Sequence, residues 1–201
     1  MSVTFQKFLS VVHHPFAPKR AILGVDPGTL KCGTAFADSL SSTARRLDTL
    51  RVSGGTPLGE QGILLEGVLS VVTMFGCFTG IAHAHFASAI KTAVMQHRVG
   101  GIVMGWPLDP YGAESAGCRT VELLVARLQA LQVHVPIIFW DERGSSAQAK
   151  FVIRTGASAT RSREKAVRVG LSLEQRQRVD EEAAVVILQS FINAARLELA
   201  L

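Results

Sequence analysis

The chain reads as an α/β domain: a mixed sheet with helices on both faces. Three observations predict it. Short apolar runs at 21–26, 101–105 and 135–140 each end in Asp, Gly-Trp-Pro or Asp-Glu, as buried strands do when they deliver polar residues to a sheet edge. Two longer runs have helical spacing: Val121, Leu124, Val125, Leu128 and Leu131, then Ala184, Ile187, Leu188, Phe191 and Ile192. Strands crowd the first quarter and then alternate with helices, which makes a mixed sheet.

In order, the reading is strand 21–26, a tight turn, strand 33–38 and strand 47–53. A helical region follows over 60–98, then strand 101–105, helix 113–132, strand 135–140 and helix 145–155. A basic loop over 156–178 leads to a final helix over 180–198. At 201 residues with 48% hydrophobic side chains, one domain with a sizeable core is expected. Residues 1–20 form an N-terminal extension, and the domain proper is 21–201. An apolar insert occupies 62–92; within it 63–82 carries one charge, Glu66. That length approaches a membrane span, but Glu66, Gly76 and Gly80 weaken it, so no stable membrane association is expected. Residues 83–98 are expected to be the structural helix, because Phe86, Ile90, Ala93, Val94 and His97 recur at helical spacing, and 62–82 the dispensable part.

Twenty-one Lys and Arg against sixteen Asp and Glu leave a net charge of +5, which favours an anionic partner, nucleic acid first. Nine basic residues lie in 143–178: Arg143, Lys150, Arg154, Arg161, Arg163, Lys165, Arg168, Arg176 and Arg178. Only Glu164 and Glu174 oppose them. Such clusters bind phosphate backbones, although a solvated charged loop has the same composition. Cys32, Cys77 and Cys118 are scattered without a Cys-x-x-Cys, which argues against a disulfide scaffold or a zinc site. His83 and His85 have no Cys or carboxylate nearby and read as structural. The first 20 residues contain no acid and suit either an organelle transit peptide or a short packed helix. No secretory signal is evident, so the expected location is cytoplasmic, with chloroplast or mitochondrion as the alternative.

The chemistry lies in four motifs: G-V-D-P-G-T at 24–29, followed by G-T-A-F-A-D at 33–38; I-V-M-G-W-P-L-D at 102–109; W-D-E-R at 140–143; and D-E-E-A-A-V-V-I-L-Q at 180–189. With these motifs in this order, the chain resembles the YqgF-type, Holliday-junction-resolvase-like nucleases, whose bacterial members are regarded as pre-16S rRNA processing nucleases. The W-D-E wording and the start M-S-V-T-F-Q-K-F-L are similar to the plant or algal branch. The resemblance covers 21–58 and 93–195 and implies a ribonuclease-H-like fold.

Phosphodiester hydrolysis by a metal nuclease needs carboxylates converging on divalent ions, which activate water and neutralise the leaving oxygen. Mg²⁺ (or Mn²⁺) takes oxygen ligands and keeps several waters, so few carboxylates suffice. The resemblance places the acidic residues on Asp26, Glu142 and Asp180, as catalytic and metal-binding groups. Asp141 and Glu142 point opposite ways along an extended backbone, so Glu142 is the expected ligand and Asp141 a supporting partner. Asp180 also reads as a helix N-terminal charge. Asp38 and Asp109 read as turn residues, and Trp106 as cover for the core. The bacterial family follows D-E-R with a bulky residue and two threonines, where this chain has Gly144-Ser145-Ser146. The expected nucleic-acid contacts are Lys31, Arg143, Ser145, Ser146, Arg161, Arg163, Lys165 and Arg168, with Ser145 and Ser146 also suited to capping the next helix.

The implied function is hydrolysis of structured nucleic acid, either an rRNA precursor or branched DNA. A non-catalytic nucleic-acid-binding module of the same fold stays open. An actin-like ATPase shares the D-x-G-T turn, but 201 residues are too few for two lobes, and no second phosphate loop of that kind appears.

Overall fold

The computed structural model describes residues 2–13, 20–28, 31–51, 74–143, 145–155 and 179–199. Five strands form one sheet: β1 (Ala21–Pro27), β2 (Lys31–Ala37), β3 (Arg45–Arg51), β4 (Val99–Trp106) and β5 (Ile137–Asp141). The sheet order is β3-β2-β1-β4-β5. The first three strands form an antiparallel meander, and β4 and β5 run parallel to β1. The helices are α1 (Phe5–Val12), α2 (Met74–Gln96), α3 (Ala116–Ala130), α4 (Ser145–Thr155) and α5 (Val179–Leu199). This mixed sheet, with helices around it, is the ribonuclease-H-like architecture that the motif order implies.

Alternation along each strand sorts the core into two layers. Leu23, Val25, Ile102, Met104 and Ile137 face α2 and α3, where they meet Phe86, Ile90, Leu124 and Leu128. Ile22, Val103 and Ile138 face the other way, onto Ile187, Leu188 and Phe191 of α5 and Phe8 of α1. α4 packs through Ala149 on Val179 and Ala183 of α5. Gly24 is what lets α5 lie so close. A Cβ there would sit 2.7 Å from Leu188 Cβ and 3.2 Å from the Ala184 carbonyl.

Two segments settle which of the expected elements belong to the packed domain. The first is the N-terminal region. Phe8, Leu9 and Val12 are buried in the α5-side layer, and Val3 N–H donates to Ile137 O at 2.9 Å. The Phe8 ring meets Phe191 edge-on at 5.2 Å and lies over Gly101, which has no side chain to obstruct it. Residues 5–12 are thus part of the core. The second is α2, which runs unbroken from Met74 to Gln96 across the boundary expected at 82/83, and Ala82 is fully buried. Gly76 and Gly80 do not interrupt the helix, since an isolated glycine weakens a helix by about 1 kcal/mol without ending it. Residues 52–73, which hold the rest of the insert, lie outside the described residues. Among the described residues no helix is long and apolar enough to cross a membrane.

Phe8→Ala is expected to destabilise the protein by about 3–5 kcal/mol, as truncation of a buried aromatic does. Denaturant unfolding checks it. A cost under about 1 kcal/mol would return α1 to the status of an appendage.

Candidate active site

The α5 face of the sheet changes character at the carboxyl ends of the parallel strands. Along β1 it reads Ile22, Gly24, Asp26; along β4, Val103 then Gly105; along β5 and just beyond it, Ile138, Trp140, Glu142. Period-2 alternation thus brings Asp26 and Glu142 out on one face from two strands separated by β4. Asp26 is flanked by glycine on both sides. Gly33 is its partner on β2, and Gly105 lies one step beyond the Val25–Met104 pair on β4. The Glu142 carboxyl folds into the space over Gly105, where Oε2 occupies the place a Cβ would take. Any side chain at position 105 would expel it.

The two carboxyl groups meet there. Glu142 is pushed up to about 8 from a normal value of 4.5, first by burial, then by the charge of Asp26, a hydrogen bond with Asp26 and the charge of Asp141. Near neutral pH the pair therefore shares a proton. Glu142 Oε2 is sealed from solvent and accepts no hydrogen bond from the described residues. Once Glu142 ionises, that oxygen becomes a buried anion without a donor, which is costly, and a cation relieves it. Two adjacent hard oxygen donors beside an open strand end fit a divalent ion of the Mg²⁺ type. Among the described residues no three metal-ligating side chains converge.

Asp180 belongs to the first turn of α5, on the helical stripe of Ala184 and Ile187, the residues that cover Gly24 and Gly105. Its carboxylate lies outside the described residues. Asp141 points away from the pair, as alternation requires. Arg143 holds it through Nη2 to Oδ2 at 2.6 Å and Nε to Oδ2 at 2.8 Å, which lowers its pKa. Arg143 is therefore engaged within its own strand end.

Lys31 is exposed at the start of β2, across the turn in which Gly28 N–H donates to Lys31 O at 2.9 Å. Ser145 is buried at the start of α4, and its N–H donates to Glu142 O at 2.9 Å, so it anchors the helix to the acid-bearing strand end. The Ser146 side chain and Arg161, Arg163, Lys165 and Arg168 lie outside the described residues. Asp38 pairs with Arg45 at 3.2 Å, and Trp106 stacks on Phe139 with centroids 4.4 Å apart, both on the plain readings. His83 is buried on α2, on the opposite layer from the acid pair, while His85 is exposed; the two form no ligand set.

One pair at this site carried no motif. Arg46 Nε on β3 lies 3.2 Å from Glu182 Oε1, two residues after Asp180. Its only signal in the sequence is a charge on the α5 face of an edge strand.

A five-stranded sheet of this order, with a crowded carboxyl pair at the β1 and β5 ends, defines the class as ribonuclease-H-like nucleases. The family model described as "RuvX: Holliday junction resolvase" matches residues 77–194, and the chain belongs to that family of nucleases. A protein of Geobacillus kaustophilus named "Putative pre-16S rRNA nuclease" is 27% identical over 174 residues, spanning 87% of this chain and 98% of its own length. A protein of the same name from Anaeromyxobacter sp. (strain K) is 30% identical over 171 residues, spanning 85% of this chain and 95% of its own. Among solved structures, Thermus thermophilus RuvC in complex with a Holliday junction substrate aligns at TM-score 0.46 and 12% identity, over 90% of this chain and 96% of that one.

The raised value of Glu142 sets a pH dependence for the metal-free protein. Between the unfolded value of 4.5 and the folded value of about 8, the folded state binds more protons than the unfolded chain. Stability therefore falls as pH rises through that window, by a total on the order of a few kcal/mol. Glu142→Gln should flatten this loss and leave the variant more stable than the parent at pH 8. Thermal melts in chelator at several pH values check it, and an unchanged slope would place the proton elsewhere.

Proposed function

We propose that this protein is a divalent-metal-dependent endonuclease that hydrolyses phosphodiester bonds of structured RNA, with precursor ribosomal RNA as its substrate. The observation that carries the metal dependence is the Asp26–Glu142 pair: two carboxyl groups crowded at a strand end, one with a sealed oxygen that has no hydrogen-bond partner among the described residues. The names of the curated relatives support the RNA substrate, and the positive net charge of the chain suits either nucleic acid. The family description keeps a branched-DNA substrate as the second reading.

In this proposal Asp26 and Glu142 hold the metal, and Asp180, brought in on the first turn of α5, completes the set. Mg²⁺ or Mn²⁺, when bound, activates water and neutralises charge on the leaving oxygen. The chain's own part is to orient the acids. Gly105 gives Glu142 its berth, Gly24 lets α5 approach, and Arg143 keeps Asp141 turned away from the pair. Lys31, Ser146 and the basic stretch with Arg161, Arg163, Lys165 and Arg168 supply affinity for the phosphate backbone. A cytoplasmic location accords with this function, and an organelle location would keep the same chemistry.

A purified sample with Mg²⁺ or Mn²⁺, offered labelled rRNA precursor and a four-way DNA junction, tests substrate and metal together. Asp26→Asn and Glu142→Gln should each lower turnover about a hundredfold or more, the equivalent of roughly 3 kcal/mol, while remaining folded. Retained turnover in both would overturn the assignment.

Metal binding should also be visible without substrate. The cation displaces the shared proton, so Mg²⁺ should raise the melting temperature more at pH 8 than at pH 6, and not at all in Glu142→Gln. Replacing Arg161, Arg163, Lys165 and Arg168 by Ala should weaken binding and lower its salt dependence by about one charge equivalent per lost phosphate contact, with turnover at saturation unchanged. An unchanged salt slope would make the stretch a solvated loop.

A further inference from the structure

The loop over 107–115 leaves the carboxyl end of β4, the same sheet end that carries Asp26 and Glu142. It is short and held by many hydrogen bonds. Asp109 Oδ1 accepts from Tyr111 N–H and Ala113 N–H, each at 2.8 Å. Asp109 N–H donates to Ala113 O at 2.8 Å, and Gly112 N–H donates to Asp109 O at 3.0 Å. Gly112 takes a φ of +89°, a conformation that side chains disfavour, and Leu108 bridges to Glu114. At the tip of this loop stands Tyr111, 95% exposed and the one tyrosine in the chain.

An aromatic ring displayed on a pre-ordered backbone binds without the cost of ordering a loop, and tyrosine immobilises few torsions. Its surroundings indicate the ligand. Exposed sequence neighbours are Gly112, Ala113 and Glu114 on one side and Pro110 on the other, so among the described residues of this loop there is no contiguous apolar patch of the size a protein partner covers. The Arg143 guanidinium, already paired with Asp141, lies 3.7 Å from where a Cβ on Gly112 would be, so the base of the loop adjoins the strand end that carries Glu142. A lone exposed ring on an ordered loop, at the edge of a carboxylate site, suits the face of an unpaired nucleobase, which stacks on aromatics without regard to base identity.

We propose that Tyr111 is a stacking platform for an unpaired base of the substrate next to the bond that is cut. It rests on the nuclease reading above and adds a preference: substrates with an unpaired or splayed base near the scissile bond over uninterrupted duplex.

The test compares the full chain and its Tyr111→Ala, Tyr111→Leu and Tyr111→Phe variants. Binding is measured by fluorescence anisotropy on a fluorescein-labelled RNA duplex with a single-stranded internal loop, and on the perfect duplex. Tyr111→Ala and Tyr111→Leu should weaken binding to the looped RNA by about 5- to 150-fold. Tyr111→Phe should stay within about twofold of the parent, since it keeps the π face, and the perfect duplex should be bound alike by all four. KM should rise for the looped RNA in the Ala variant while kcat at saturation holds. Iodouridine placed in the loop should photo-crosslink to the peptide containing Tyr111 in the parent protein. Equal affinity of all four proteins for the looped RNA would overturn the stacking role, as would an equal loss on both RNAs. A parent that cleaves both RNAs while Tyr111→Ala behaves like it defeats the platform and leaves the nuclease intact. A parent that binds and cleaves neither defeats both.

Discussion

Two carboxyl groups that repel one another are held in contact at the end of this sheet, and much of the surrounding structure exists to keep them there. Neither Asp26 nor Glu142 can retreat into solvent, because Glu142 is folded back over Gly105 and α5 covers the face above. The glycines make this possible. Gly33 and Gly105 flank Asp26 within the sheet, and Gly24, two residues back on the same face, brings the α5 backbone down. A sheet face that is elsewhere filled by Ile22, Val103 and Ile138 is thus emptied over a few positions, and the acids occupy the space. In water the pair would separate and ionise. Here the raised pKa of Glu142 keeps a proton on the pair near neutral pH.

That constraint passes to α5, whose first turn carries Asp180. Its apolar stripe sets its distance from the sheet, but apolar contacts alone hold a helix loosely along its own axis. Polar contacts along one side add directional restraint. Glu182 meets Arg46, the Gln189 amide oxygen accepts from Ala44 N–H at 2.9 Å, and Arg196 donates to the carbonyls of Leu40 and Ser42 at 2.7 and 2.9 Å. All of these partners lie between the end of β2 and the first half of β3. The meander therefore does more than flank the parallel strands, because it fixes how far α5 slides and so where the residue at 180 stands relative to Asp26. In the Arg46–Glu182 pair the arginine is exposed and the glutamate largely buried, and a single ion pair at the edge of the sheet contributes modestly by itself. Its value lies in direction.

What was legible in the sequence follows from which interactions are local. Strand ends and their acids were readable, because a period of two and an apolar run are properties of consecutive residues. The opposed directions of Asp141 and Glu142 followed from the same alternation. The helices at 116–130 and 179–199 fell near their expected bounds for the same reason. Contacts between distant segments were not readable. Residues 5–12 suited either a leader or a short packed helix, and contacts with distant residues, Gly101 on β4 and Phe191 on α5, make them core. Arg46 and Glu182 lie 136 positions apart, and no spacing rule connects them. The berth over Gly105 was hidden in a motif whose Trp-Pro attracted the eye, while the glycine before them did the spatial work.

The same division explains how acids and bases are distributed here. The acids proposed for the chemistry sit on regular elements or at their ends, on β1, just beyond β5 and on the first turn of α5, where the backbone is set by packing. Basic groups are concentrated after β5, where the sequence crowds nine of them into 143–178. Phosphate recognition tolerates adjustable geometry, because attraction between a guanidinium and a phosphate falls off slowly with distance. Carboxylates sharing a small ion do not tolerate it, since Mg²⁺ demands near-octahedral oxygen at fixed distance. Arg143 marks the border between the two regimes. It follows the acid Glu142 directly, yet its charge is spent on Asp141, and that bidentate pair keeps a cation out of the space beside Glu142.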